Sequence, residues 1–229
     1  MISVFKAHPE RLVIAIAAFC WGWMFWEAMA AQRLSCCRPH PTAAADFASW
    51  MVMVGAMMLP TTTSSLHDVA ARSYRHRRPR AVLEYALGYA TCWILLGAVF
   101  AVLRIYSLAH DLRTAAVLCI LAAAWAVLPV RRLWFVRCHR QIPLCPAGPR
   151  ADLDAVRQGA VHGIPCMKMC WPLMLACAVT GHDLVLMTGG AILAFTEKRM
   201  FRLNRKPLVL GSIALSAWIL VKMAVIQHE

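Results

Sequence analysis

Charged residues are scarce in this sequence, since Asp, Glu, Lys and Arg together make up 15% of its 229 residues. Hydrophobic residues make up 61% and the mean hydropathy is +0.59, whereas an ordinary soluble domain is about half apolar. This composition excludes a soluble globular protein. The chain is therefore predicted to be an all-α integral membrane protein, a polytopic bundle of transmembrane helices.

The motifs of common enzymes are also missing. The sequence has no Walker loop and no GxGxxG, GxSxG or HExxH pattern, which excludes the usual signatures of nucleotide binding, serine hydrolysis and zinc proteolysis. An enzyme of quinone, haem or thiol redox is the least favoured alternative, because Cys166 and Cys170 lack the C-x-x-C spacing of thiol oxidoreductases and His162 has no second histidine within a predicted span for haem ligation. No linker divides the chain, so residues 1–229 are predicted to form a single domain without catalytic residues.

Seven apolar runs are candidates for helices that cross about 30 Å of hydrocarbon. They cover approximately Leu12–Ala31, Asp46–Leu66, Val82–Arg104, Leu112–Leu133, Ala160–Gly181, Leu184–Phe195 and Pro207–Ile226. The sixth run is short and follows a His182-Asp183 turn, so the fifth and sixth could instead form a re-entrant pair. The first run imitates a signal peptide, but its length and its tryptophans favour a retained helix.

The positions of the basic residues predict the orientation of the chain, whose net charge is +13. If the N-terminus lies inside, eighteen Lys and Arg residues fall in inner segments and only five in outer segments. This alternation follows the positive-inside rule and predicts an N-in/C-out protein of the inner or plasma membrane. The inner clusters are expected to contact anionic lipid, and no nucleic-acid partner is expected. Cys36 and Cys37 would face outward, and their role is open.

The stretch from Val161 to Cys177, VHGIPCMKMCWPLMLAC, gathers sulfur on one stripe of a helix. Steps of three and four residues place the following side chains on one face: His162, Cys166, Met169, Cys170, Met174 and Cys177. In the predicted orientation the first four lie in the cytoplasmic half of the fifth span. The second span brings Met53, Met57 and Met58 to a similar depth. Two sulfur-rich segments are therefore expected near the inner face of the membrane.

Thiolate and thioether ligands with few imidazoles select soft ions, and Cu(I) suits this set best. Cys166 and Cys170 are the expected thiolate ligands. Met169 and either Met57 or Met58 are expected thioether ligands, Met53 is a further candidate, and His162 is expected as an access or auxiliary ligand. The competing interpretation is that Met and Cys fill the core as soft apolar residues.

Other residues near the sulfur carry simpler expectations. Three prolines are expected to kink helices beside the sulfur-rich segments: Pro60, Pro165 and Pro172. Lys168 is expected either to extend toward the interface or to place a cation beside the thiols. Glu84 and Glu197 are expected to be interface or ion-pair residues rather than metal ligands. Residues 131–158 are predicted to form an irregular cytoplasmic loop because of their Pro and Gly content.

Several motifs carry a family resemblance. In order they are Trp50-Met51-Val52-Met53, Ala56-Met57-Met58-Leu59-Pro60, Gly88-Tyr89 with Trp93, His162-Gly163 with Cys166, Cys170-Trp171 with Met174, and Glu197-Lys198. This order resembles the predicted metal-binding integral membrane protein family, a domain of unknown function. The resemblance covers about Trp50 to Met200 and implies metal binding without supplying a reaction.

The chain departs from that family pattern at two places. The family tends to have C-x-G-C-C-W where this chain has Lys168 and Met169, and it tends to have a cysteine pair of which only Cys138 is present, with Trp134 at the other position. Exchange of thiolate for thioether keeps soft coordination and lowers the negative charge. That change suits a monovalent ion better than a divalent one.

The sequence thus predicts a non-enzymatic membrane protein that binds Cu(I) or a similar soft ion for handling, delivery or insertion. The expected partner is a membrane metalloenzyme or another subunit of a membrane complex. The alternative is a structural, accessory or assembly subunit of such a complex, with no metal of its own and with sulfur serving as packing.

Overall fold

The computed structural model describes residues 9–33, 42–106, 112–199 and 206–228. These residues form nine α-helices and one 3₁₀ turn and no strand, so the predicted all-α class is confirmed for this part of the chain. The helices are α1 (Pro9–Arg33), α2 (Ala43–Met57), α3 (Thr63–Arg72), α4 (Arg78–Tyr106), α5 (Leu112–Val127), α6 (Pro129–Cys138), α7 (Pro149–Val179), α8 (Leu184–Arg199) and α9 (Lys206–His228). The 3₁₀ turn, Pro60–Thr62, precedes α3. Cys36 and Cys37 lie outside the described residues.

Two helical segments are long and apolar enough to cross a membrane, Arg11–Ala30 in α1 and Arg78–Leu103 in α4. Two further segments qualify only as bent pairs: α2 with Pro60–Arg72, bent by 43°, and Arg113–Val127 with α6, bent by 81°. Val209–Val221 in α9 is a shorter apolar helix. By length and composition, the described residues hold two to four candidate spans, whereas the sequence predicted seven.

Both bent pairs have a proline at the break. Pro60 opens the 3₁₀ turn after α2, so the expected bend is present there. Pro129 opens α6, and Leu128 before it has φ −63° and ψ 136°, because a proline disfavours helical backbone in the preceding residue. The predicted continuous run Leu112–Leu133 is therefore wrong beyond residue 127, where the chain turns sharply into a second helix.

Helix α7 has 31 residues, which at about 1.5 Å per residue gives a length of about 46 Å. It packs most extensively on α4 and also contacts α5 and α6. Its helical geometry continues through Pro165 and Pro172. Pro149 lies in its first turn, where the missing N–H of proline carries no penalty. The predicted loop over residues 131–158 is therefore wrong for most of its length, since only residues 139–148 lie between α6 and α7.

Glycines allow α4 and α7 to approach closely. A Cβ atom at Gly159 would lie 2.1 Å from the carbonyl oxygen of Tyr85, and one at Gly88 would lie 2.0 Å from a carbonyl oxygen of α7. Gly163, one turn after Gly159, lies against the backbone of Tyr89. The spacing Gly159-x-x-x-Gly163 is a small-residue motif by which membrane helices pack backbone to backbone. It holds the sulfur-rich half of α7 against the tyrosines of α4.

Helices α7 and α8 are joined by a tight turn. Gly181 and His182 have positive φ values of 68° and 65° in this turn. The Asp183 carboxylate then caps α8, because its Oδ1 accepts from two backbone N–H groups of the first turn at 3.1 Å each. Cys166 and Lys198 both lie about 20 Å along their helices from the turn, at about 1.5 Å per residue. The hairpin therefore places these two residues at the same level.

Candidate metal centre

The sulfur stripe of α7 faces the protein interior. Its six members are each at most 6% exposed: His162, Cys166, Met169, Cys170, Met174 and Cys177. The common face predicted from the spacing is confirmed. Burial by itself fits both a packed core and a metal site, so the polar neighbours of the stripe decide its chemistry.

Cys166 has polar neighbours on two other helices. Lys198 of α8 donates from Nζ to the Cys166 Sγ at 3.0 Å, and the Tyr89 hydroxyl of α4 lies 3.1 Å from the same sulfur. Cys170, one turn later on α7, interacts with the Cys166 thiol. An ammonium group can only donate, so the Cys166 sulfur accepts from Lys198. This setting favours the thiolate, which is the form of cysteine that binds metals.

Lys198 also links Cys166 to the methionine segment after α2. Its Nζ donates to Thr61 Oγ1 at 2.8 Å, and the Thr61 hydroxyl donates to the carbonyl oxygen of Met58 at 2.7 Å. Met53, Met57 and Met58 are fully buried, as a ligand role or a packing role requires. The described connection from this segment to Cys166 runs through Thr61 and Lys198.

His162 is held by two tyrosines of α4. The Tyr85 hydroxyl forms a hydrogen bond with Nδ1 of His162, and the ring centroids of Tyr85 and Tyr89 lie 6.1 Å and 5.5 Å from that of His162. With Nδ1 engaged, Nε2 is the ring atom that could bind an ion, an arrangement common in metal-ligating histidines. Tyr85 contacts His162, and four residues later on each helix Tyr89 contacts Cys166. Helices α4 and α7 therefore run parallel at this level.

A cavity of about 710 Å³ adjoins this cluster. Cys138, His139, His162 and Lys198 contribute to its wall. Cys138 is 4% exposed and interacts electrostatically with Cys166 and Lys198. An ion in the cavity would therefore meet imidazole and thiol groups before it reached Cys166.

Two further cations near the cluster have partners of their own. Arg131 binds the Glu197 carboxylate with Nη1–Oε1 at 2.5 Å and Nη2–Oε2 at 2.6 Å, which confirms the expected ion pair of Glu197. Lys168 lies over the ring of Trp134, with Nζ 3.9 Å from the centroid. Lys168 and Trp134 are two of the three positions at which a cysteine or glycine of the resembled pattern is missing, and they contact each other. The cation beside the thiols is thus Lys198.

Within residues 9–33, 42–106, 112–199 and 206–228, no group of three or more His, Cys, Asp or Glu side chains could hold a metal ion as placed. A structural zinc site built from four such ligands is therefore not preformed among them. Cu(I) accepts thiolate and thioether sulfur, so Cys166 and Cys170 with the neighbouring Met169 are a chemically suitable set.

The comparison with known families supplies an independent observation. Residues 47–221 match the family PpoB2, described as copper chaperone. The chain belongs to this copper chaperone family. No curated protein and no solved structure matches the sequence. The predictions of a metal-binding family and of an association with copper are confirmed at this level.

Sequence reasoning missed four side chains that surround the sulfur: Thr61, Tyr85, Tyr89 and Lys198. Signals for three of them were present. Gly88-Tyr89 and Glu197-Lys198 belong to the motif order described above, and the tyrosines of α4 repeat at the same four-residue spacing as His162 and Cys166. Lys198 could have been recognised as a neighbour of Cys166, because the two residues lie at about the same distance from the turn that joins α7 and α8.

Proposed function

We propose that the protein is a multi-pass membrane protein that binds Cu(I) as cargo and passes it to a membrane metalloenzyme or to another subunit of a membrane complex. The observation that carries this proposal is the buried Cys166, which faces hydrogen-bond donors and lies beside a cavity walled by Cys138, His139 and His162. The membership in a copper chaperone family supports the choice of metal.

The ligands proposed are the Cys166 and Cys170 thiolates, with Met169 as a thioether ligand on the same face of α7 and His162 as an access ligand. Met57 or Met58 would complete the set after a small shift of the segment around Thr61, and Met53 lies one helical turn before Met57. Cys138 is added from the structure, because its thiol lies in the cavity wall close to Cys166 and Lys198. Thiolate and thioether donors of this kind favour Cu(I) over divalent ions.

Membrane embedding is proposed with seven membrane segments, of which the fourth is bent at Pro129, and with the N-terminus inside and the C-terminus outside. The outward faces of the helices support it, since α4 exposes large apolar side chains such as Leu83, Leu87, Leu95 and Val99, each at least 55% exposed. Lipid accommodates such a surface, whereas in water it would promote association. The basic inner segments orient the chain and contact anionic lipid.

The role proposed is binding and release, without bond-making chemistry on a substrate. Cu(I) would pass through the cavity, exchange onto the thiolates and leave to the receiving protein. The buried position of the thiolates would protect the ion from water and oxidants during its stay.

The test is the copper content of the full chain purified in detergent under reducing conditions and loaded with Cu(I). Cys166→Ser/Cys170→Ser is expected to lose the bound copper. Cys92→Ser/Cys145→Ser removes the same number of thiols outside the proposed ligand set and is expected to retain it. Equal copper content in all three proteins would refute the proposal. Stable co-purification with other subunits and metal content near zero would instead support the accessory-subunit alternative.

A further inference from the structure

Lys198 of α8 contacts the sulfur of Cys166. Its ammonium group is a monovalent cation 3.0 Å from the Cys166 sulfur. Cys166 is 0% exposed, whereas Lys198 lines the cavity, so the approach to the sulfur from the cavity passes Lys198. Cu(I) carries the same charge as the ammonium group and would bind the same sulfur. Two cations at such close range repel each other strongly in an environment of low dielectric.

The ammonium group of Lys198 contacts a sulfur atom, although a lysine in a protein interior normally pairs with a carboxylate. The adjacent carboxylate, Glu197, is bound through both oxygens by Arg131. Lys198 contacts Cys166, the neutral hydroxyl of Thr61 and, at 5.9 Å from the ring centroid, the face of Tyr89. These contacts can be given up without leaving a carboxylate unpaired.

From these contacts we infer that Lys198 is an exchangeable cation, which covers Cys166 in the metal-free protein and moves into the adjacent cavity when Cu(I) binds. The inference rests on the proposed role of Cys166 as a copper ligand. Lys198 then lowers the affinity of the site and assists release, because its return to Cys166 compensates for the loss of the ion. A chaperone needs such a device, since a site that binds too tightly does not pass its cargo on.

The cavity offers the displaced side chain both space and partners. Its volume is about 710 Å³, and Thr63, Ser64 and Ser65 contribute to its wall beside Thr61. Hydroxyl oxygens can accept hydrogen bonds from an ammonium group, which avoids the cost of an unpaired charge. In the exchange the N–H···S contact to the Cys166 thiolate breaks and a Cu–S bond to the same sulfur forms, and the Cys170 thiol releases its proton to water as it becomes the second ligand. Copper stays Cu(I), the lysine keeps its proton, and no electron is transferred.

The test compares Cu(I) affinity in Lys198→Leu and wild-type protein, both as full chains in detergent, by competition with a chromogenic Cu(I) chelator. Leucine removes the cation without adding a sulfur ligand. Lys198→Leu is expected to bind Cu(I) about 10- to 100-fold more tightly, since the loss of a hydrogen bond to a charged group changes a binding constant by about that factor. Lys168→Leu removes a lysine that lies over Trp134 and is expected to leave the affinity unchanged. Equal or weaker binding by Lys198→Leu would overturn the exchange and indicate that Lys198 only supports the site.

A second measurement uses wild-type protein and does not depend on the folding of a variant. Reductive methylation of Lys198, measured by mass spectrometry with Lys168 as internal reference, is expected to increase when Cu(I) is bound. Methylation that is unchanged or reduced would contradict the displacement. A wild-type protein that binds no Cu(I) would overturn the proposed function, whereas normal Cu(I) binding with equal affinity in Lys198→Leu would overturn the exchange alone.

Discussion

Replacement of Glu197 by Gln would test the buried ion pair that holds α6 against α8. The Arg131 guanidinium contacts both carboxylate oxygens at 2.5 Å and 2.6 Å, and the two side chains are 8% and 16% exposed. Removal of one partner from a buried pair leaves an uncompensated charge and costs about 3–5 kcal/mol. Gln keeps one oxygen that can accept a hydrogen bond from Arg131. We therefore expect the free energy of unfolding to fall by about 3 kcal/mol, the lower end of that range. For a chain of this size that loss lowers Tm by about 6–12 °C.

The assay is thermal unfolding of detergent-purified protein followed by tryptophan fluorescence. Arg80→Gln is the control, because the Arg80 side chain is 66% exposed and its contacts with Glu84 and Asp152 are screened by solvent, so the expected change is about 0–1 kcal/mol. The double variant Arg131→Met/Glu197→Leu replaces the whole pair by apolar side chains and should recover most of the lost stability. A Glu197→Gln protein as stable as wild type, or a double variant as unstable as the single one, would refute the reasoning.

Three further predictions concern packing, ligation and topology. In the same assay Gly159→Ala should lower the free energy of unfolding by about 3 kcal/mol, because the new Cβ would lie 2.1 Å from a backbone oxygen. In the control Gly22→Ala the new Cβ meets nothing within 4 Å, so that variant should not be destabilised. Equal stabilities of the two variants would contradict the close approach of α4 and α7. Tyr85→Phe removes the hydrogen bond to His162 and should weaken Cu(I) binding about 10-fold, and this loss should vanish in a His162→Ala background if His162 is a ligand. Cys145 is an exposed thiol between α6 and α7, so in a variant without other exposed cysteines it should react with a membrane-impermeant maleimide only after the cells are broken. Its labelling in intact cells would contradict the N-in orientation.

The features that depend on local spacing were predictable. A helical face is set by steps of three and four residues, so the burial of His162, Cys166 and Cys170 on one side of α7 followed from their order. The bend at Pro60 followed from the geometry of proline. The same rule applied to Pro129 would have ended α5 at residue 127, but the apolar character of the following residues favoured a longer run. Hydropathy did not mark the break, because Leu128, Val130 and Leu133 continue the apolar pattern past Pro129, although α6 also carries three arginines.

The surroundings of Cys166 could not be derived from spacing within one segment. Tyr89 and Lys198 belong to other helices, and their distances from Cys166 depend on how closely those helices pack. The close approach of α4 depends on Gly159 and Gly163, whose small size matters only when a partner helix is present. Arg131 determines which cation meets the thiol, since it occupies the carboxylate of Glu197.

By itself the sequence determined the all-α class, most of the helical segments and the chemical type of the proposed ligands. These follow from hydropathy, periodicity and the softness of sulfur, which act residue by residue along the chain. The tertiary structure decided that an ammonium group and a phenol from two other helices lie beside Cys166, in addition to the Cys170 thiol of its own helix. The physical reason is that a contact between helices depends on the level and separation of both, and these are set by the turn after α7 and by the glycines facing α4.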